Sequence, residues 1–121
     1  MALTISSITF DSLTQGMWAC NAVNDGSAAA ATIRCGFQPR RIEVYNVTDD
    51  ITDLWIGYTT ATSWNVIANG TQDSDAASGF TLDDGTGTVT TATGSASTGA
   101  GFSMGTGILI ASKSYRIFAF H

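Results

Sequence analysis

The clearest alternation of apolar and polar positions along this chain lies in RIEVYNVT, residues 41–48. Ile42 and Val44, followed by position 46 or 47, fall on one face, while Arg41, Glu43 and Tyr45 fall on the other. A period of two is that of a half-buried β-strand. The next run, Leu54-Trp55-Ile56-Gly57-Tyr58, is mostly apolar and predicts a more buried strand. Between them Thr48-Asp49-Asp50 predicts a turn, because Asp side chains bond to nearby backbone amides. Pro39 lacks a backbone donor and has a fixed φ, so Gln38 is expected to be extended and the first strand to begin just after the proline.

Other segments follow the same period. Ser63 to Ile67 and Ser78 to Leu82 read as strands near the turn signal Asn69-Gly70, and Asp25-Gly26 and Asp84-Gly85 are further hairpin signals. Towards the end, Gly107 to Ala111 and Tyr115 to Phe120 read as a strand pair joined by Ser112-Lys113-Ser114. In the last strand Tyr115, Ile117 and Ala119 share one face, and Arg116, Phe118 and Phe120 the other. Helical evidence is confined to Ala28–Ala31, which is followed at once by Thr32, Ile33 and Cys35, so that a short strand fits equally well. Residues 85–107 are a Thr/Gly-rich tract that reads either as a long loop or as a weakly registered strand pair, with Val89, Phe102 and Met104 as docking points. Many short strands at this spacing predict an all-β fold, an antiparallel sandwich or small barrel of jelly-roll-like or Ig-like type with long Thr/Gly-rich loops. The expected organisation is one domain over 14–121, with residues 1–13 as an N-terminal arm.

Composition narrows the partners. Charged residues make up 12% of the 121 residues, about half the ~25% usual for globular domains. A surface of Thr, Ser, Asn and Gly suits a protein covered by neighbours in an assembly. The net charge of −5 argues against nucleic acid, which needs clustered Lys and Arg to displace counterions. Arg34, Arg40 and Arg41 form only a small basic group, followed closely by Asp49, Asp50 and Asp53. The start, MALTISSITFDS, has no basic region or continuous apolar core of a secretory leader, and no apolar run is long enough to span a bilayer as a helix. Synthesis in a cytoplasm, with no membrane partner, is the expectation. Cys20 and Cys35 read as reduced, buried thiols rather than a bridge closing a ~15-residue loop.

Motifs for chemistry are sparse. The one histidine, His121, is the final residue, where a solvent-exposed end is expected. Gly99 to Gly105 spaces its glycines one residue away from the dinucleotide fingerprint, and with no strand before it and no helix after it, phosphate binding is rejected. Asp49/Asp50/Asp53, Asp73/Asp75 and Asp83/Asp84 lie in predicted turns and are read as turn residues, with calcium as the lesser alternative. Trp18, Trp55 and Trp64, with Tyr45 and Tyr58, are read as core or interface, and as a carbohydrate-binding face in the alternative. No catalytic residue, cofactor or metal ligand is assigned.

The block GFQPRRIEVYNVTDDITDLWIGY, residues 36–58, resembles a passage in small tailed-bacteriophage virion proteins, in which a Gly-Phe-x-Pro segment leads through an Asn-x-Thr-Asp turn into a Trp-containing strand. The aromatic final strand adds to the likeness, which is greatest to head decoration (cement) proteins. The resemblance implies a non-enzymatic protein of the capsid surface, made in the host bacterial cytoplasm. It would self-associate, as a trimer, and bind major capsid protein subunits. The interface candidates are Leu3, Ile5, Ile8 and Phe10 of the arm, Arg40 and Arg41 at the strand entrance, and Trp55. The alternatives are a tail component, such as a tube or completion protein, and a glycan-binding module.

Overall fold

The computed structural model describes residues 3–11, 16–24, 30–56, 64–68, 71–75, 79–86 and 99–121. Among them are ten strands and no helix: β1 (Leu3–Asp11), β2 (Met17–Asn24), β3 (Ala31–Ile33), β4 (Arg41–Asn46), β5 (Ile51–Ile56), β6 (Trp64–Ala68), β7 (Thr71–Asp75), β8 (Phe80–Asp83), β9 (Gly101–Met104) and β10 (Lys113–Phe120). They form two antiparallel sheets, a seven-stranded one in the order β1-β2-β10-β4-β5-β6-β7 and a three-stranded one in the order β3-β9-β8. One hydrophobic cluster draws on both, joining Trp18, Ile42, Val44, Trp55, Tyr115 and Ile117 of the large sheet to Ile33, Phe80, Phe102 and Met104 of the small one. The fold is the all-β sandwich that the strand pattern predicts.

The alternation in 41–48 is realised residue by residue. Ile42, Val44 and Asn46 are buried, and Arg41, Glu43 and Tyr45 point to the other side. The strand starts two residues after Pro39, and the turn over 47–50 is closed by Asn46, whose Oδ1 accepts from the amides of Thr48 and Asp49. Asp50 takes the left-handed conformation at φ 59° that ends the turn. β5 begins earlier than its apolar run suggests, at Ile51, and buries only Asp53 and Trp55 fully. It is therefore a one-sided strand, not one covered on both faces. In β10 the faces divide as expected, with Tyr115, Ile117 and Ala119 inward.

Two local expectations are corrected. Gly107 to Ala111 is not a strand: the amides of Ile108 and Leu109 both bond to the Gly105 carbonyl, making a tight turn that buries both side chains. Tyr115 holds this turn, its hydroxyl accepting from the Ile110 amide at 2.7 Å and facing the Ile108 carbonyl at 3.1 Å. The Asn24 side-chain amide donates to the Ile110 carbonyl at 2.7 Å. Asp84-Gly85 does not make a two-residue hairpin, because β8 pairs with β9 across a long connection. Asp25-Gly26 lies outside the described residues. Finally, the partner of β6 is β7, a polar strand that carries no apolar signal, whereas β8 joins the small sheet. Ala68 pairs with Thr71, and Asn69-Gly70 lie outside the described residues.

Tyr115 gives a testable consequence. Burial pushes its phenol up to about 12, so the neutral form is favoured in the fold. Its stabilising contribution is complete below the ordinary value near pH 10 and is lost as pH rises from there towards 12. Tyr115→Phe is expected to cost about 1–2 kcal/mol at neutral pH by stranding the Ile110 amide. It should also flatten the fall in stability between pH 10 and 12, measured by urea unfolding across that range.

Candidate functional site

The inner face of the large sheet is covered by the core, and its outer face is not covered by any described element. Register defines that outer face in rows. Met17, Phe120, Arg41 and Ile56 lie side by side across β2, β10, β4 and β5. Ala19, Phe118, Glu43 and Leu54 form the next row, and Asn21, Arg116, Tyr45 and Thr52 the third. Strand residues facing water in a one-sided sheet are ordinarily polar. Here the outer positions of β10 carry two phenylalanines, partly exposed, and Val23 and Val47 are 49% and 52% exposed at the border.

Met17, Glu43, Tyr45, Val47, Arg116, Phe118 and Phe120 line a groove of about 490 Å³ over β2, β10 and β4. That volume is within the ~300–1,000 Å³ range of ligand-sized clefts. Phe118 meets the Tyr45 ring edge-on, with centroids 5.7 Å apart. Such a pair fixes both rings beyond what area burial does. Glu43 is committed at both oxygens: Arg41 Nε donates to Oε2 at 2.6 Å, and the Tyr45 hydroxyl donates to Oε1. The Tyr45 phenol is held above its ordinary value, first by this hydrogen bond, which a phenolate beside a carboxylate would lose. Arg116 is exposed and makes no ion pair among the described residues.

The residues singled out from sequence are dispersed. Leu3, Ile5 and Trp55 are core side chains, 1%, 5% and 2% exposed, so they present no surface in the single chain. Residues 3–11, within the expected arm of 1–13, pair in the single chain as β1 with β2, from Leu3 opposite Asn24 to Asp11 opposite Met17. Ile8 falls at the register shift between Ser6 and Thr9, and Phe10 pairs with Trp18. Arg40 is exposed, with its amide bonded to the Phe120 carbonyl. Arg41 belongs to the outer face, in the row of Met17 and Phe120. The groove residues Met17, Arg116, Phe118 and Phe120 were not among the sequence candidates. The signal that could have found them is the aromatic content of both faces of the last strand.

The other candidate chemistry resolves into structural roles. Asp49 bonds to Lys113 and Asn46, and Lys113 holds its carboxyl below the ordinary value. Asp84 caps Thr86 through both amide and hydroxyl, as a turn residue does, and these bonds hold its carboxyl low. Asp83 is buried against Arg34 Nε at 2.8 Å, which removes Arg34 from any basic patch. Asp53 is a buried strand residue and Asp73 and Asp75 lie in β7, so none of the three is a turn residue. Among the described residues no three His, Cys, Asp or Glu side chains lie close enough to hold a metal ion. Trp18, like Trp55, is core, and neither can contribute to a carbohydrate face. Tyr58 lies outside the described residues. His121 is exposed and packs on Phe37 with centroids 5.1 Å apart, its amide bonded to the Gly16 carbonyl.

Cys20 and Cys35 are unbridged and buried, and burial pushes their thiols up to about 12 and about 11. Thiolate is the reactive form. Both are therefore expected to resist Ellman's reagent at pH 8 in the folded protein and to react in full on unfolding; fast labelling of the native protein would contradict the burial.

No known family model, curated protein or solved structure matches the chain. What the geometry defines is a two-sheet antiparallel β domain with one partly apolar, unpaired sheet face.

Proposed function

We propose that the protein is a virion structural component that binds other proteins through the outer face of its large sheet, a decoration protein of a phage capsid. The observation that carries this reading is that face: a sheet surface bearing Phe118, Phe120, Tyr45, Met17 and Val47 around a groove, with no described element packed on it. Apolar patches of this kind on small domains mark interaction sites. The low charge content and the likeness of residues 36–58 to virion proteins fit the same reading. The protein would self-associate as a trimer and clamp adjacent major capsid subunits, stabilising the shell because it binds the assembled state and not the separated one. β1, an edge strand, is the element whose exchange would link copies.

The test is negative-stain imaging and co-sedimentation of the purified protein with empty capsids built from the coat protein encoded in the same genome. Saturable binding at fixed positions on the shell is expected. Rings or stacked tubes formed without capsids would instead favour a tail component.

A further inference from the structure

We propose that the groove over β2, β10 and β4 receives a segment of the partner protein that carries an apolar side chain next to a carboxylate, the carboxylate on Arg116 and the apolar group against Phe118 and Phe120. The inference deepens the assembly reading and rests on it.

The chain carries ten acidic and five basic residues, yet the charged side chains of the outer face of β2, β10 and β4 are Arg41, Glu43 and Arg116, so this surface is locally positive. Arg34 and Lys113 are spent on Asp83 and Asp49, and Arg41 on Glu43. Arg116 alone stands in the groove without an ion-pair partner among the described residues. Its guanidinium is exposed beside the apolar lining of the groove and presents a planar fork of donors that matches a carboxylate.

A second copy laid face to face does not supply that carboxylate. Glu43 is the one acid of the groove, and both its oxygens are held within the chain by Arg41 and Tyr45. A copy would thus bring Arg116 against a surface of its own sign. The groove volume suits a short stretch of chain, about three residues, rather than a whole domain. Its aromatic lining gives area and its single cation gives register, which is the usual division of labour in a small interface.

The test uses the full chain and the blocked peptide acetyl-Glu-Phe-Leu-Glu-amide, followed by amide and side-chain chemical shifts. Shifts are expected at Tyr45, Arg116, Phe118 and Phe120. Replacing both Glu residues of the peptide by Gln, or making Arg116→Glu in the protein, should weaken binding at least ten-fold. A peptide with Lys in place of Glu should bind the Arg116→Glu protein better than the original does. Shifts elsewhere, no shifts, or equal binding of the Gln peptide would overturn the proposal, as would a dimer in sedimentation velocity that Arg116→Glu or Phe118→Lys dissociates. Binding of the Arg116→Glu protein to capsids at undiminished affinity would overturn the groove assignment and leave the assembly reading intact. Failure of the wild type to bind capsids would remove the assembly reading, while the peptide measurement, which uses no capsid, still decides the groove.

Discussion

Gly101→Ala is expected to lower stability by about 3 kcal/mol or more, at the severe end of overpacking. Gly101 opens β9, the central strand of the small sheet, opposite Asp83 of β8 and next to the end of β3. A Cβ built there would stand 1.9 Å from the Ile33 carbonyl oxygen and 2.7 Å from Arg34 Cα. Both obstacles are backbone, so no side chain can swing away to make room. Either β3 must leave β9, breaking the pairing of Ile33 with Phe102, or β9 must shift away from β8. The urea midpoint should fall by about 2 M for a slope near ~1.5 kcal/mol/M. A midpoint within ~0.3 M of wild type would show that the two backbones are not so close.

Trp55→Ala is expected to cost about 4 kcal/mol, the usual scale for removing a large buried aromatic. Trp55 is 2% exposed on the inner face of β5, paired in register with the fully buried Ile42. Its removal leaves a cavity in the single core that both sheets share, so neither sheet closes it alone. Thermal unfolding should drop by roughly 15 °C for a domain of this size. A surface anchor would behave in the opposite way, with unchanged stability and impaired binding, and that outcome would place the indole outside the core. The two substitutions lie in different sheets and report on different contacts, overlap in one case and a void in the other.

Much of the large sheet was readable because its strands are one-sided. In β4 Ile42 and Val44, and in β10 Tyr115, Ile117 and Ala119, alternate as buried residues, and that alternation tells the two faces of each strand apart. The N-terminal strand was harder to read for a physical reason. Its apolar residues change phase, from Leu3 and Ile5 to Ile8 and Phe10, which disguises a strand as an irregular arm. The pairing shifts between Ser6 and Thr9, and this bulge absorbs the extra residue, bringing Phe10 opposite Trp18. β7, Thr-Gln-Asp-Ser-Asp, had no apolar position to read at all and exists through backbone pairing at the sheet edge. Ile108 and Leu109 misled in the other direction. Their apolar run suggested a strand, but Gly105, Tyr115 and Asn24 satisfy the backbone of a turn there, and the apolar side chains are buried from it.

The groove was legible only in part. That Arg116, Phe118 and Phe120 share one face follows from the period of the last strand, but which of its two aromatic-bearing faces turns outward does not. That Met17 and Tyr45 lie beside them depends on β10 sitting between β2 and β4, a pairing of distant segments that no local pattern specifies. Trp55 and Leu3, interface candidates from the sequence, are core side chains, because size and hydrophobicity alone do not distinguish a core side from an interface side of a strand.

The docking of partner protein on the outer sheet face is tested most directly by hydroxyl-radical footprinting of the protein free and bound to capsids. Met17, Tyr45, Phe118 and Phe120 are all oxidisable and all line the groove. On binding, their oxidation is expected to fall several-fold together, while the exposed His121, which does not line the groove, keeps its free rate. Unchanged oxidation of the four groove residues in the bound protein, with protection appearing elsewhere, would contradict the account.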